Sequence, residues 1–303
     1  MTKGAIVEMD SFRLTSYAVQ VPCFVCGARN GSEVELCTQC SAPMALARQA
    51  GHQKTEPLVI AALGSSGAGK TVYLGMLLDM LSRQKEHLQV LARGAFSVSL
   101  QQNTAASMAR CQFPRKTPSE PDRWNWVHCQ VRGPRMGKGV DLIVPDLAGE
   151  ALFTEIDHPH SYRAIEQLLG KCAGVIVLVN ACRLQEGMLD QDYFSMKLLS
   201  YLSESSAAGR EPWRRRPLAL VFSKADQCEE CFDNPTAFAQ RHTPGVWKFC
   251  EQRFERFRFF ASGVAGACAV RHVPGEGAVQ VPLRTEPRGV VEPFEWLLSE
   301  LRK

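Results

Sequence analysis

Little in this 303-residue chain is extreme, and each missing extreme removes a class of function. No apolar run is long enough to cross a bilayer and no leader-like stretch opens the chain, so a cytoplasmic protein without a membrane span is expected. A net charge of +4 is too small to steer the chain onto nucleic acid by itself. The densest basic run, Trp213-Arg-Arg-Arg-Pro217, reads as a solvated loop. Internal repeats and low-complexity tracts are missing, which argues against solenoids and long disordered arms. With 45% hydrophobic and 22% charged residues, the composition fits one full-sized globular domain plus a small appendage. Cysteine breaks the pattern. Twelve cysteines without a secretion signal read as reduced thiols or metal ligands, not as disulfides.

Residues Gly64-Ser-Ser-Gly67-Ala68-Gly69-Lys70-Thr71 form a complete Walker A loop. The apolar run 57–63 before it reads as a buried strand, and the spacing of apolar residues from Val72 to Leu81 reads as a helix. Strand, glycine loop and helix in that order is the context the motif requires. In such a loop the backbone N–H groups through Val72 converge on a phosphate chain at the positive end of a helix. Lys70 then neutralises phosphate oxygens, and the Thr71 hydroxyl ligates Mg²⁺.

Three further segments follow in sequence. Strand 140–145 runs into Asp146-Leu-Ala-Gly149-Glu150, which sets a carboxylate where it can hold Mg²⁺ and a glycine N–H where it can approach a γ-phosphate. Strand 217–222 ends in Ser223-Lys224-Ala225-Asp226. Strand 257–261 ends in Ala261-Ser262-Gly263. Together the four segments resemble the Ras-like, translation-factor-related (TRAFAC) class of P-loop GTPases over roughly residues 57–303. The resemblance implies GTP or GDP as ligand. The Asp226 carboxylate would pair with N1 and the exocyclic amine of guanine, with Lys224 packed over the base and the backbone at Ser262 and Gly263 touching the guanine oxygen. Adenine offers a carboxylate no such pair of donors. Ser223 departs from the usual Asn, which weakens bracing of the loop. Within that class, the long segment before Asp146 and its Phe113-Pro-Arg-Lys-Thr117-Pro118 run resemble the bacterial double-GTPase group linked to conflict and defence systems.

Two positions decide whether the chain is an ordinary switch. The polar loop from Pro114 to Asp122 lies where a first switch belongs, so Thr117 is the candidate threonine for Mg²⁺ and γ-phosphate, with a plain turn threonine as the alternative. Glu150 stands where Ras-like enzymes carry a glutamine that orients the attacking water. A carboxylate there adds negative charge beside the γ-phosphate, so hydrolysis by the protein alone is expected to be slow and to need an arginine from a partner. Arg110, Arg115 and Arg163 are internal alternatives that the sequence does not separate from surface arginines.

Cys23-Phe-Val-Cys26-Gly27 and Cys37-Thr-Gln-Cys40 are two CxxC knuckles, spaced to offer four thiolates to one Zn²⁺. A segment of roughly 25 residues cannot fold on its own apolar burial, so the metal should supply that energy and do no chemistry. Cys228-Glu-Glu-Cys231 repeats the spacing without an evident second pair, other than Cys250 or Cys268.

The expected fold is α/β: a mostly parallel six-stranded sheet with helices on both faces over residues 55–303, preceded by a zinc-ribbon module over residues 1–50. Strands are expected at 57–63, 124–131, 140–146, 174–180, 217–222 and 257–261, and helices at 70–84, 97–111, 190–204, 235–255 and 290–302. Residues 1–20 are read as adding a strand or two around the knuckle, and 263–288 as a loop or small hairpin. The leading function is a Mg²⁺-dependent GTPase switch whose zinc ribbon docks a partner protein, such as a GTPase-activating or defence-system component. The alternative is a zinc-ribbon adaptor for protein or nucleic acid with a structural nucleotide. An ATPase or kinase is disfavoured by Asp226 and by Asp146–Gly149.

Overall fold

A computed structural model describes residues 20–51, 57–83, 88–133, 139–205, 211–273, 275 and 277–302. The first elements enclose the cysteine knuckles: strands β1 (Gln20–Pro22) and β2 (Arg29–Gly31) pair antiparallel, followed by helix α1 (Met44–Gly51). Strands around the knuckle were expected from residues 1–20. One starts at Gln20, and residues 1–19 lie outside the described residues.

The main body follows. Its elements are β3 (Leu58–Gly64), α2 (Lys70–Arg83), β4 (Gln89–Arg93), α3 (Gly94–Ala109), β5 (Asn125–Arg132), β6 (Val140–Asp146), α4 (Gly149–Asp157), α5 (Arg163–Lys171) and β7 (Cys172–Asn180). Beyond them come α6 (Leu189–Glu204), β8 (Leu218–Ser223), α7 (Pro235–His242), α8 (Pro244–Arg253), β9 (Phe257–Ser262), the hairpin β10 (Ala267–Val273) and β11 (Gly277–Arg284), and α9 (Glu292–Glu300). The central sheet has the order β4-β5-β6-β3-β7-β8-β9. Contacts from β6 through β3, β7 and β8 to β9 are parallel, and β4-β5-β6 is antiparallel.

Seven strands stand where six were expected. The extra one, β4, extends the hairpin edge. It is short and exposes Leu91, so its sequence carries no buried run to announce it. The helix expected over 235–255 is two helices. Pro244 disfavours the helical conformation for Thr243 before it, and α7 ends there. Helices α4 and α5 went unread, although each buries an apolar face.

β3 and β7 are buried almost throughout, as parallel strands covered on both faces must be. The residues of the knuckles (Cys23, Phe24, Val25, Cys37, Cys40, Met44, Leu46) share one apolar core with Leu63, Trp124, Trp126, Ile143 and Val175 of the main body. Lys171 at the end of α5 reaches the Phe24 carbonyl and lies 5.1 Å from the Phe24 ring centre. Gln49 Oε1 of α1 is 3.0 Å from His128 Nδ1 on β5. The module is thus built into the domain and does not hang from a tether.

Inside the basic run only part of the solvated-loop reading holds. Arg214 and Arg215 are exposed. Arg216 is buried 4.4 Å from the Trp213 ring centre and donates to the carbonyls of Leu169 and Cys172 at 3.2 and 2.8 Å, which ties β8 to β7.

Candidate functional site

The chain leaves the centre of the sheet on either side of β3, through β6 on one side and β7 on the other, so the carboxyl ends of these strands open a crevice. A cavity of about 440 Å³ occupies it. Its walls include 66–73 after β3, Thr117, Gly149 and Glu150, Lys224 and Asp226 after β8, and Ser262 at the end of β9. Every segment singled out above for a nucleotide therefore contributes to one cavity.

At the phosphate end, Lys70 is buried and donates to the carbonyls of Gly64 and Ser65 at 2.9 and 3.1 Å. Burial lowers its pKa from 10.5 to about 8, against the pull of the Asp146 and Glu150 charges. Gly149 packs against the loop so closely that an added Cβ would lie 2.3 Å from the Ser66 nitrogen. Any larger residue would displace the Ser65–Ser66 backbone, so glycine is required there.

Three oxygens meet beside Lys70. Thr71 Oγ1 and Thr117 Oγ1 donate to Asp146 Oδ2 at 2.9 and 2.8 Å, and stand 3.0 Å from each other. Two ligands of Mg²⁺ at ~2.1 Å and at right angles stand about 3 Å apart, so the triangle matches one face of an octahedron. The other oxygen of Asp146, Oδ1, is buried without a hydrogen-bond partner among the described residues, although the Asn125 side chain lies near enough to favour ionisation. Burial raises the Asp146 pKa, while the bonds from Thr117 and Thr71 and the Lys70 charge pull it down. A divalent cation fits this donor set because it would remove the burial cost that the hydroxyls only partly offset.

Along the loop after β3, the Ser66 hydroxyl donates to Glu150 Oε1 at 3.2 Å, and Ser65 donates to Gln191 Oε1 on α6 at 2.9 Å. Gln191 is buried, and nothing in its sequence surroundings pointed to it. Of the three internal arginines, Arg115 lines the cavity. Arg110 ends α3 and Arg163 begins α5, and neither is among the residues lining that cavity.

At the other end, Lys224 sits in the left-handed region at φ 59° after β8. Burial lowers its pKa, and burial raises that of Asp226. Backbone N–H groups of Ala265 and Val264 act on the Asp226 carboxylate. Gly263 lies so close that a Cβ on it would approach Asp226 Oδ1 to 2.7 Å. Ser223 donates to the Val179 carbonyl at 3.2 Å, a brace to β7 in place of the usual amide.

The cysteine knuckles make a second site. The sulfurs of Cys23, Cys26, Cys37 and Cys40 all lie within 4.8 Å of one another, with Cys23–Cys40 at 3.7 Å and Cys26–Cys37 at 3.5 Å. Four Zn–S bonds of ~2.3 Å at tetrahedral angles put sulfurs about 3.8 Å apart. Gly27 turns at φ 74°, and backbone N–H groups of Val25, Cys26, Ala28, Gln39 and Ala42 serve the sulfurs. Hydrogen bonding to Cys40 lowers the Cys23 thiol to about 5. These donors fit a closed structural Zn²⁺ site. Cys228 and Cys231 are buried with sulfurs 3.4 Å apart, and among the described residues they form no cluster of three or more metal-ligating groups with Cys250 or Cys268.

A family model described as Double-GTPase 1 matches residues 61–195. That span carries the Walker A loop, Thr117 and Asp146–Glu150, and ends before Ser223–Asp226 and Ser262. In structure the chain is similar to the Arl6 BBS3 small GTPase of Trypanosoma brucei, solved with the nucleotide analogue GppNp. The two are 16% identical over 81% of this chain and 98% of that one, at a TM-score of 0.37. It is also similar to a nucleolar GTP-binding protein 1 of Plasmodium falciparum at 10% identity, over 83% of this chain and 89% of that one, at a TM-score of 0.41. No curated protein matches the chain.

Proposed function

We propose that this P-loop GTPase, whose residues 61–195 match the Double-GTPase 1 family, hydrolyses GTP to GDP and phosphate as a Mg²⁺-dependent switch. The observation that carries the reading is the triangle of Thr71, Thr117 and Asp146 oxygens with edges of 2.8–3.0 Å beside the phosphate loop. Thr71 and Thr117 would ligate the cation and Asp146 would hold it, directly or through water. The chemistry such a cation would supply is neutralisation of phosphate charge, with Thr71, Thr117 and Asp146 as its holders.

The protein's own groups do the remaining work. The amides of 66–72 and the Lys70 ammonium cradle the phosphates. The Gly149 N–H approaches the γ-phosphate, and Thr117 carries the first switch segment onto it. Loss of that phosphate removes the contacts that hold Thr117 and the Gly149–Phe153 turn, which is how order-to-disorder switches work. Glu150 stands where water must attack and is held by the Ser66 hydroxyl. Its negative charge makes turnover by the protein alone slow, and a partner that supplies an arginine or releases Glu150 would accelerate it. Asp226, Lys224 and the backbone at Ser262–Gly263 select guanine.

With residues 1–50 taken as a zinc ribbon ahead of a GTPase domain in 55–303, the ribbon's exposed rim around Glu33–Leu36 is the face that would meet a partner protein. Its opposite side is committed to the shared core, which favours a built-in module over the adaptor reading.

Calorimetry with GTP and GDP, with and without Mg²⁺, together with phosphate release by the wild type and by Lys70→Ala, tests the proposal. Micromolar or tighter GDP binding, Mg²⁺-dependent release of phosphate and loss of both in the variant are expected. Equal competition by ADP would sink base selection, and unaided turnover of several per second would sink the role given to Glu150.

A further inference from the structure

Between β9 and α9 the chain makes an excursion that none of the nucleotide motifs uses. Among the described residues, strands β10 and β11 pair only with each other in regular ladder, Cys268 opposite Pro282 and Val270 opposite Gln280. A two-stranded hairpin is marginal by itself. This one exposes Val270 and Leu283, so burial of its own side chains does not explain why it is held. Its root is fixed instead. Gly263 and Arg288 exchange both backbone hydrogen bonds at 3.0 and 2.9 Å, and the Glu286 N–H donates to the Val264 carbonyl at 2.9 Å. The hairpin therefore grows rigidly out of the Ser262–Gly263 loop, at the end of the cavity that holds Asp226.

Two of its side chains reach the cavity wall, Cys268 from β10 and Gln280 from β11. Cys268 is hydrogen-bonded by Gln227 and lies within electrostatic reach of both Asp226 and Lys224, which places it at the base end. Residues 268 and 280 sit diagonally across the ladder, one step either side of the Ala269–Val281 pair, and diagonal neighbours share reach across a sheet face. A carboxamide carries both donors and an acceptor, as the edge of a purine and the hydroxyls of a ribose require. The Cys268 thiol adds a small apolar surface against the ring.

We infer that the β10–β11 hairpin is a clamp over the nucleoside, with Gln280 and Cys268 contacting the base or ribose of the bound guanine nucleotide and setting how long GDP stays. This inference rests on the GTP-binding reading and adds two specificity-determining residues outside the family match. A nucleotide in the cavity would add packing against Cys268 and Gln280, so clamp and ligand would stabilise each other. A partner that takes hold of the exposed Val270 and Leu283 would pull the root at Gly263 and with it the contact to Asp226.

The test follows release of tritiated GDP from the full chain by filter binding, chased with unlabelled GDP. Gln280→Ala should release it about 3- to 10-fold faster, the loss of one net hydrogen bond, with a little-changed association rate. Alkylation of the wild type by N-ethylmaleimide, followed by peptide mass spectrometry, gives a readout that needs no variant. GDP should slow modification of Cys268 at least fivefold while exposed Cys111 reacts at an unchanged rate. A release rate within twofold of the wild type, or Cys268 modification that GDP leaves unaltered, overturns the clamp. Failure of the wild type to bind tritiated GDP overturns the GTP-binding proposal instead.

Discussion

Two places in this molecule suit a doubly charged cation, and they are built on opposite plans. The knuckle site is all sulfur, with four donors from two short turns and no position left for a substrate. The corner at Thr71, Thr117 and Asp146 is all oxygen, with donors from three distant segments and its remaining side facing a cavity of about 440 Å³. Soft donors that close a tetrahedron hold structure. Hard donors that leave positions open hold a metal that must also meet phosphate. The knuckle is local in sequence, whereas the oxygen corner requires the distant segment carrying Thr117 to stay in place. One cation should be indispensable to the fold and the other to turnover.

The strongest way to break that contrast is Cys37→Ser. Structural zinc contributes on the order of 10–16 kcal/mol to such modules, and this module shares its core with the main domain. Loss of bound zinc by elemental analysis and aggregation or a melting point lowered by more than about 10 °C are expected. Wild-type melting without zinc would show that the sulfurs are not the fold's support.

Asp226→Asn comes next. If Asp226 pairs with guanine as proposed, the change removes two charge-assisted hydrogen bonds, so GDP affinity should fall by about a hundredfold or more, with xanthosine diphosphate preferred over GDP. Calorimetry with both nucleotides decides it, and unchanged GDP affinity would take base recognition away from this residue.

Thr117→Ala sharpens the oxygen corner. Phosphate release should slow by about 10- to 100-fold and the effect of Mg²⁺ on GTP affinity should shrink, while GDP affinity stays within threefold. A parallel fall in GDP affinity would mean that Thr117 supports the loop and not the γ-phosphate.

The smallest effect concerns pH. In the free protein Lys70 titrates near 8 while the unfolded chain keeps that proton until about 10.5. Between those values the unfolded state binds more protons, so the nucleotide-free protein gains stability as pH rises. Nucleotide phosphates hold Lys70 charged, so GDP binding above pH 8 should take up a proton, and the increase in melting temperature that GDP causes should narrow. Calorimetry in buffers of differing ionisation enthalpy reads the proton directly.

How far the molecule was legible varies with the range of the interactions. Buried strands such as 172–180 announce themselves because both faces are covered and the run is unbroken. β4 does not, because it is an edge strand with one exposed face, and the single helix expected near 244 failed on one proline. At the site, Lys70 and Asp146 were readable from loops whose backbone geometry demands particular residues. Gln191, Cys268 and Gln280 were not, since each comes from the far side of an ordinary-looking segment and reaches the cavity only through packing.

By itself the sequence determined the kinds of donors and their local order: the amide nest of 64–71, the sulfur pairs at 23–40, and the acids at 146 and 226 at the ends of apolar runs. Local patterns suffice there because a turn fixes neighbours within a few residues. Tertiary structure alone decided which remote groups complete each place. It put the already suspected Thr117 against Asp146, Glu150 against Ser66, the cysteine module into the domain's core and Cys268 and Gln280 of the hairpin at the cavity wall. Such meetings depend on how helices and strands pack across the sheet, and no spacing along the chain encodes them.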